Sequence, residues 1–275
     1  MNALLDNSVA RSIIWRLGRK LYTWARRDLP QEPYLNGEYW LLEQITQSSS
    51  FIKPIFIDIG SHLGNWSSRA QILITKSQAK TFGHVYAFEP SFDSYTFLCE
   101  RFKSSEIVSV VKLALSDKSD IRSLFIFGKM CGINSLSKNS DAIGTEQVNC
   151  ERLDDFLSQR QIKKIVFVKS DAEGHDFNII CGAANLFQKG LVEVWQFEYN
   201  HRWISEKRHL KDVFDFIADK PYRLGKLYKN GIEVYDKWHP ELERFFEANY
   251  VLIKRGSEFE GLCKPMHFNC HNVLV

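Results

Sequence analysis

Four short clusters in the chain collect side chains able to do chemistry. Phe56-Ile57-Asp58-Ile59-Gly60-Ser61-His62-Leu63-Gly64-Asn65 runs an apolar, β-branched segment into a glycine turn. Ala87-Phe88-Glu89-Pro90 ends a second apolar run on a carboxylate, 31 residues after Asp58. Val168-Lys169-Ser170-Asp171-Ala172-Glu173-Gly174-His175-Asp176 sets five ionisable side chains within eight residues, and Gln196-Phe197-Glu198-Tyr199-Asn200-His201 closes another apolar run. Each cluster begins where a strand-like run stops. In an open α/β sheet, ligands bind beyond the carboxyl ends of the strands, where strand order reverses.

Gly60 and Gly64 allow a sharp turn and close backbone approach to a ligand. Their G-x-x-x-G spacing is neither the dinucleotide fingerprint nor a P-loop, and a plain βα turn would use the same glycines. Glu89 narrows the choice, because an acid at the end of the second strand can accept hydrogen bonds from both ribose hydroxyls. A glycine turn without pyrophosphate spacing, next to a ribose-reading acid, fits an adenosine ligand lacking a diphosphate, such as S-adenosylmethionine. Structural duties compete for the third cluster. Asp171 or Glu173 can pair with Lys169, and Asp176 can cap the following helix.

The elements that must position these clusters follow from periodicity. Strands are predicted at Ile55–Ile59, Val85–Phe88, Ile107–Leu113, Ile165–Lys169 and Val192–Phe197, with closing strands at Tyr222–Tyr228 and Tyr250–Lys254. Helical segments lie between them: Asn65 to about Lys80, Asp93–Lys103, His175–Gln188 and His209–Asp219. Strands separated by helix-length segments predict an α/β, doubly wound, mainly parallel sheet. Ser123–Phe127 reads as a strand, and Gly128–Gly144 as a long loop of the kind that carries function. Leu29–Tyr39, with Pro30, Pro33 and Gly37, reads as a connector. The organisation expected is an N-terminal helical extension over 1–45, a catalytic domain over 46–256 and a tail over 257–275.

As an ordered set, F-I-D-I-G-S-H-L-G-N, V-Y-A-F-E-P, L-A-L-S-D, V-K-S-D-A-E-G-H-D and F-E-Y-N resemble the FkbM-type family of S-adenosylmethionine-dependent methyltransferases. The resemblance covers roughly Ile55–Lys254. It implies a class I methyltransferase (Rossmann-like) fold and methyl transfer from S-adenosylmethionine, typically to a hydroxyl oxygen. It implies that Asp58, Gly60, Ser61, His62, Gly64 and Asn65 line the methionine end of the cofactor. Glu89, with Pro90, would hold the ribose, Ser116 and Asp117 would lie by the adenine, and Lys169, Asp171 and Glu173 would face the transfer centre. Two positions depart from the family pattern: Ser170 replaces an apolar residue, and His62 stands where Asn is common.

Methyl transfer is an in-line displacement, so the enzyme chiefly aligns the nucleophile and excludes water. A sugar-type hydroxyl needs help losing its proton. Asp171 is the first candidate base, with Glu198 and His201 behind it, and Mg²⁺ shared by Asp171 and Glu198 is a second route. The expected acceptor is a hydroxylated small molecule or a glycan, with a surface-polysaccharide sugar as the first choice by resemblance. Two other readings stand beside this one: a nucleotide-dependent oxidoreductase, disfavoured by the missing fingerprint, and a catalytically silent binding module.

Composition is that of a globular protein: 275 residues, 44% hydrophobic and 25% charged, which excludes disordered and fibrous classes. The net charge of +3 is unevenly spread. Met1–Arg27 holds six cations against Asp6, so the remaining residues carry a net −2. A body with that charge has no electrostatic footprint for nucleic acid. Ser8–Arg27 reads as an amphipathic helix, either packed on the body or touching an anionic membrane. Six cysteines without a C-x-x-C pair, and no apolar run of spanning length, point to the cytoplasm, with peripheral contact at the inner membrane face as an option. Cys263, His267, Cys270 and His271 match no standard zinc spacing.

Overall fold

A computed structural model describes residues 7–28, 30–48, 50–77, 83–138 and 140–275. The chain begins with α1 (Ser8–Ala25) and α2 (Glu38–Thr46). Then β1 (Ile55–Ile59), α3 (Asn65–Lys76), β2 (His84–Phe88), α4 (Phe92–Arg101) and β3 (Val108–Val111) alternate. A small three-stranded sheet follows, made of β4 (Ala114–Leu115), β5 (Asp120–Ile126) and β6 (Gly144–Glu151) in the order β4-β6-β5. After α5 (Leu153–Gln159) come β7 (Ile165–Ser170), α6 (Asp176–Cys181), α7 (Ala184–Gln188), β8 (Val192–Tyr199) and α8 (Leu210–Ile217). The chain closes with β9 (Tyr222–Tyr228), β10 (Gly231–Tyr235), β11 (Ala248–Lys254) and β12 (Cys263–Met266).

The main sheet has the order β12-β10-β9-β11-β8-β7-β1-β2-β3. Strands β3, β2, β1, β7 and β8 are mutually parallel, and β11 runs antiparallel to both β8 and β9. This is the doubly wound α/β order expected for the class I methyltransferase fold, with its reversal at β1. Register aligns the strand ends: Val111, Phe88, Ile59, Ser170 and Phe197 form one row across five strands. The four clusters leave the sheet immediately beyond that row and therefore stand side by side.

Alternation along the strands sends side chains into two cores. Ile57, Ile59, Val168 and Phe197 pack with α5 to α8 on one face, while Phe56, Phe167 and Val194 pack with α2, α3 and α4 on the other. Asp58, Lys169 and Gln196 share the second face and are neighbours by register. A buried polar row thus crosses the sheet centre beneath α2.

Several elements differ from expectation. Gly128–Gly144 ends where a full strand, β6, begins, and its polar sequence GTEQVNCE hides the alternation. The helix expected over His175–Gln188 breaks at Gly182-Ala183, where the Gly182 carbonyl accepts the Asp154 N–H at 3.1 Å. The boundary at 45 falls inside α2, whose Tyr39, Leu41, Leu42 and Ile45 belong to the core of the sheet. The tail supplies β12, which pairs in parallel with β10. The predicted helix end at Lys80, the first six residues of the basic arm, and Asn139 of the predicted loop lie outside the described residues.

Candidate active site

The turn after β1 is set by its backbone. The Gly60 and Ser61 N–H groups both donate to the Phe88 carbonyl, and Gly64 N–H closes onto Ser61 at 2.7 Å. Gly60 has φ +72°, and a Cβ there would run into the Asp171 carbonyl, so this turn and the β7 cluster touch through bare backbone. His62 also takes a left-handed conformation, and its Nε2 lies 2.8 Å from the Met130 carbonyl. That contact ties the turn to the segment after β5.

Glu89 is buried at the end of β2, and each carboxylate oxygen accepts one backbone N–H: His62 at 2.8 Å and Ser91 at 2.9 Å. Burial raises its pKa to about 7 against those two bonds. Each oxygen retains acceptor capacity.

Asp58, Lys169, Asp171 and Glu38 form a second polar group. Asp58 is fully buried; its Oδ2 accepts from Ser67 at 2.6 Å and its Oδ1 has no hydrogen-bond partner. Lys169 Nζ donates to Asp171 Oδ2 at 3.3 Å and stands 3.8 Å from Asp58 Oδ1. Burial alone would pull the Lys169 pKa down, but the fields of Asp171, Asp58 and Glu38 outweigh it and hold the ammonium above its usual range. Asp171 Oδ1 is buried without a partner. Glu38, at the start of α2, accepts from Gln196 Nε2 at 2.9 Å, and burial raises its pKa to about 7. Glu38 escapes the sequence reading because it precedes the sheet, in what reads as the end of a connector.

The remaining predicted residues divide. Glu173 pairs with Arg202 at 2.9 Å, and burial lifts it to about 8. Asp176 is structural in its contacts: it accepts from Ser170 Oγ at 2.8 Å from a fully buried position. Ser170, expected to be apolar by resemblance, thus has a buried polar partner. Glu198 is held above its usual range by burial and by Asp171, Glu247 and Glu173, and its Oε1 accepts from Asn200.

Six predicted residues do not line the cleft: Asp58, Gly64 and Glu198 stand behind its walls, and Ser116, Asp117 and His201 turn to other partners. Ser116 is buried against His175, 2.9 Å from its Nε2, and Asp117 pairs with Arg122 at 2.9 Å. Their neighbours Leu113, Ala114 and Leu115 line the cleft instead. His201 is exposed, because Asn200 Oδ1 accepts the Arg202 N–H and starts a 3-10 turn, His201–Ile204, that carries the imidazole to a separate surface pocket.

Two chambers result. The first has Glu89 and Pro90 at one side, apolar walls from Leu113, Leu115, Leu124 and Ile179, and a roof from Cys131–Leu136. Ser135 fixes that roof by donating to the Glu173 carbonyl at 3.0 Å. The predicted loop therefore covers this chamber. The second, about 320 Å³, is lined by Glu38, Tyr39, Ser61, Asn65, Trp66 and Lys169 among others. Gly60, His62, Gly132, Asp171 and Glu173 line both and form the shared wall. Among the described residues no group of three or more His, Cys, Asp or Glu side chains is placed to hold a metal ion. Neither Asp171 with Glu198 nor the Cys/His tail belongs to such a group.

The donor and acceptor set fits S-adenosylmethionine. Apolar walls suit an adenine, Glu89 offers free acceptor capacity at the end of β2, and the excess of carboxylates over Lys169 and Arg202 suits a cationic ligand.

No curated protein matches the chain. Among solved structures, methyltransferase FkbM from Methylobacillus flagellatus KT aligns with 87% of this chain at 14% identity and a TM-score of 0.45, and this chain covers 60% of its length. An rRNA methylase from Streptococcus thermophilus aligns over 79% of this chain and 94% of its own, at 10% identity and a TM-score of 0.40. For precorrin-6y C5,15-methyltransferase from Geobacter metallireducens GS-15 the values are 79%, 87%, 11% and 0.40. A sequence model of the methyltransferase FkbM domain matches residues 58–224, from Asp58 in β1 into β9, and the chain belongs to that family.

Proposed function

We propose that this protein transfers a methyl group from S-adenosylmethionine to a hydroxyl oxygen of a sugar or related small molecule. One observation carries the reading. Asp171, on the wall shared by both chambers, has one oxygen held by Lys169 and the other buried without a partner.

When bound, the cofactor supplies an electrophilic methyl carbon on a sulfonium. The chain's own residues do the rest. Glu89 accepts from the ribose hydroxyls, and the uncapped N–H groups at the start of α3 favour the methionine carboxylate. Glu38 offers a carboxylate for the ammonium end, with the buried Asp58 behind the wall adding negative potential. Lys169 holds Asp171 Oδ2, and Oδ1, which has no competing partner, would take the hydroxyl proton once turned to the acceptor, as the acceptor oxygen gains the methyl group, the sulfonium C–S bond breaks and the thioether leaves with its electron pair. Glu38, Asp58 and Asp171 keep Lys169 charged, so it positions Asp171 and does not itself act as a base. The Cys131–Leu136 roof excludes water from the first chamber.

An aromatic-walled second chamber, with Tyr39 and Trp66 beside polar groups, supports a sugar-like acceptor. The test is calorimetry with S-adenosylhomocysteine, followed by transfer of a labelled methyl group to a panel of sugars and hydroxylated small molecules. Binding with transfer to a hydroxyl is the expected result. Failure to bind S-adenosylhomocysteine overturns the cofactor assignment, and binding with no transfer to any hydroxylated acceptor favours the silent module.

A further inference from the structure

Helix α1 is amphipathic, yet it meets the body with its polar side. At 100° per residue, Trp15, Arg19, Tyr22 and Arg26 fall on one stripe. That stripe makes the contacts. The Tyr22 ring meets Phe246 edge-on at 6.4 Å, Arg19 stacks over Phe246 at 4.4 Å, and Arg26 over Phe268 at 4.9 Å. Tyr22 also donates to Glu241 at 3.3 Å.

The opposite stripe is Ile13, Leu17, Leu21 and Trp24, flanked by Val9 and Ile14. No residue of α1 is buried, and Trp24 is 80% exposed. A surface helix ordinarily turns such a stripe inward, and an exposed contiguous apolar face marks an interaction site. Asn7 caps the helix at Val9 and Ala10, so it is a formed element.

Charge selects the occupant. Arg16 and Lys20 stand on one shoulder of the apolar stripe and Arg11 toward the other side. None of the three forms an ion pair among the described residues, and α1 contains no acid. Two copies meeting through this face would oppose like charges. An anionic bilayer complements both features: headgroups meet the cations, acyl chains meet the stripe, and long basic side chains reach outward from its edge. No helix among the described residues is long and apolar enough to cross a membrane, so α1 would lie in the interface.

We infer that α1 is a peripheral anchor, docked on the body through Arg19, Tyr22 and Arg26, that presents Ile13, Leu17, Leu21 and Trp24 to an anionic lipid surface. Its seat includes Phe245 and Phe246 in a pocket shared with His201, three residues beyond Glu198. The anchor therefore lies at the same end of the sheet as the cleft. The inference does not depend on which reaction the cleft performs.

The experiment is co-sedimentation of the full chain with vesicles of phosphatidylcholine alone or mixed with phosphatidylglycerol. Binding is expected to the mixed vesicles only and to weaken with salt. Leu17→Glu/Trp24→Glu should lower it by at least about tenfold, and Arg16→Glu/Lys20→Glu should remove the preference for phosphatidylglycerol. Thermal unfolding and S-adenosylhomocysteine binding, measured on the same variants, should not change. Absence of vesicle binding by the unaltered chain overturns the proposal. So does a concentration-dependent dimer in light scattering that Leu17→Glu/Trp24→Glu dissociates, which would assign the face to a second copy.

Discussion

Lys169 Nζ lies 3.3 Å from Asp171 Oδ2 while Asp171 Oδ1 is buried and unpartnered. Asp171 stands on the wall between two chambers, so its carboxylate is anchored on one oxygen and has no hydrogen-bond partner on the other. Asp171→Asn keeps the shape and removes the proton acceptor. Turnover should fall by about 10²–10⁴-fold, with S-adenosylhomocysteine affinity within a few-fold by calorimetry. A variant that retains full turnover removes Asp171 from the proton-transfer role.

Lys169 is the buried cation that Asp58, Asp171 and Glu38 share. Lys169→Met leaves those carboxylates uncompensated, and removing one partner of a buried ionic group costs about 3–5 kcal/mol. The thermal midpoint should drop accordingly. Adding Asp58→Asn should recover part of the loss, a coupling that independent sites do not show. Strict additivity in this double-mutant cycle would contradict the shared-cation arrangement.

How far the sequence reveals this site depends on where the signal resides. Strand ends are legible because an apolar run stops abruptly at a charge: β1 and β9 match their predicted spans. Register then brings Glu89, Gly60, Asp171 and Glu198 together without further information. Glu38 is not legible, since its place depends on α2 crossing the sheet face over Gln196. His201 misleads for the opposite reason. It directly follows a strand-end cluster, but Asn200 starts a turn that no periodicity signals. Ser116 and Asp117 also sit in a recognisable motif, yet their side chains turn to His175 and Arg122.

Gly60 brings the glycine turn against the β7 cluster, with φ +72° and the Asp171 carbonyl where a Cβ would be. Gly60→Ala must therefore both strain the turn, at about 1–3 kcal/mol, and push the shared wall apart. Cofactor affinity and thermal midpoint should fall together. Gly256→Ala is the control, because Gly256 also has positive φ but nothing within 4 Å of a Cβ. It should lower the midpoint slightly and leave affinity alone. Equal effects at both positions would show that backbone strain, not contact with Asp171, accounts for the Gly60 result.

Glu89 and Glu38 each have a folded-state pKa of about 7, raised from 4.5 chiefly by burial. Between those values the folded chain holds protons that the unfolded chain releases, so stability falls as pH rises through that interval. The contribution is complete below about 4.5 and lost above about 7. The thermal midpoint of the free protein should therefore decline from pH 5 to pH 8. Over the same range the gain conferred by S-adenosylmethionine should grow, because a cationic ligand prefers the ionised carboxylates and binds only the folded state. Glu89→Gln removes one of these titrating groups, while Glu173, raised to about 8, and Glu198 titrate in both proteins. Its midpoint should decline less steeply, by on the order of 1 kcal/mol or about 2 °C, and its affinity for S-adenosylhomocysteine should fall about tenfold or more at pH 8. Superimposable pH profiles for the two proteins would mean that Glu89 is ionised throughout, and unchanged affinity would take the ribose contact away from it.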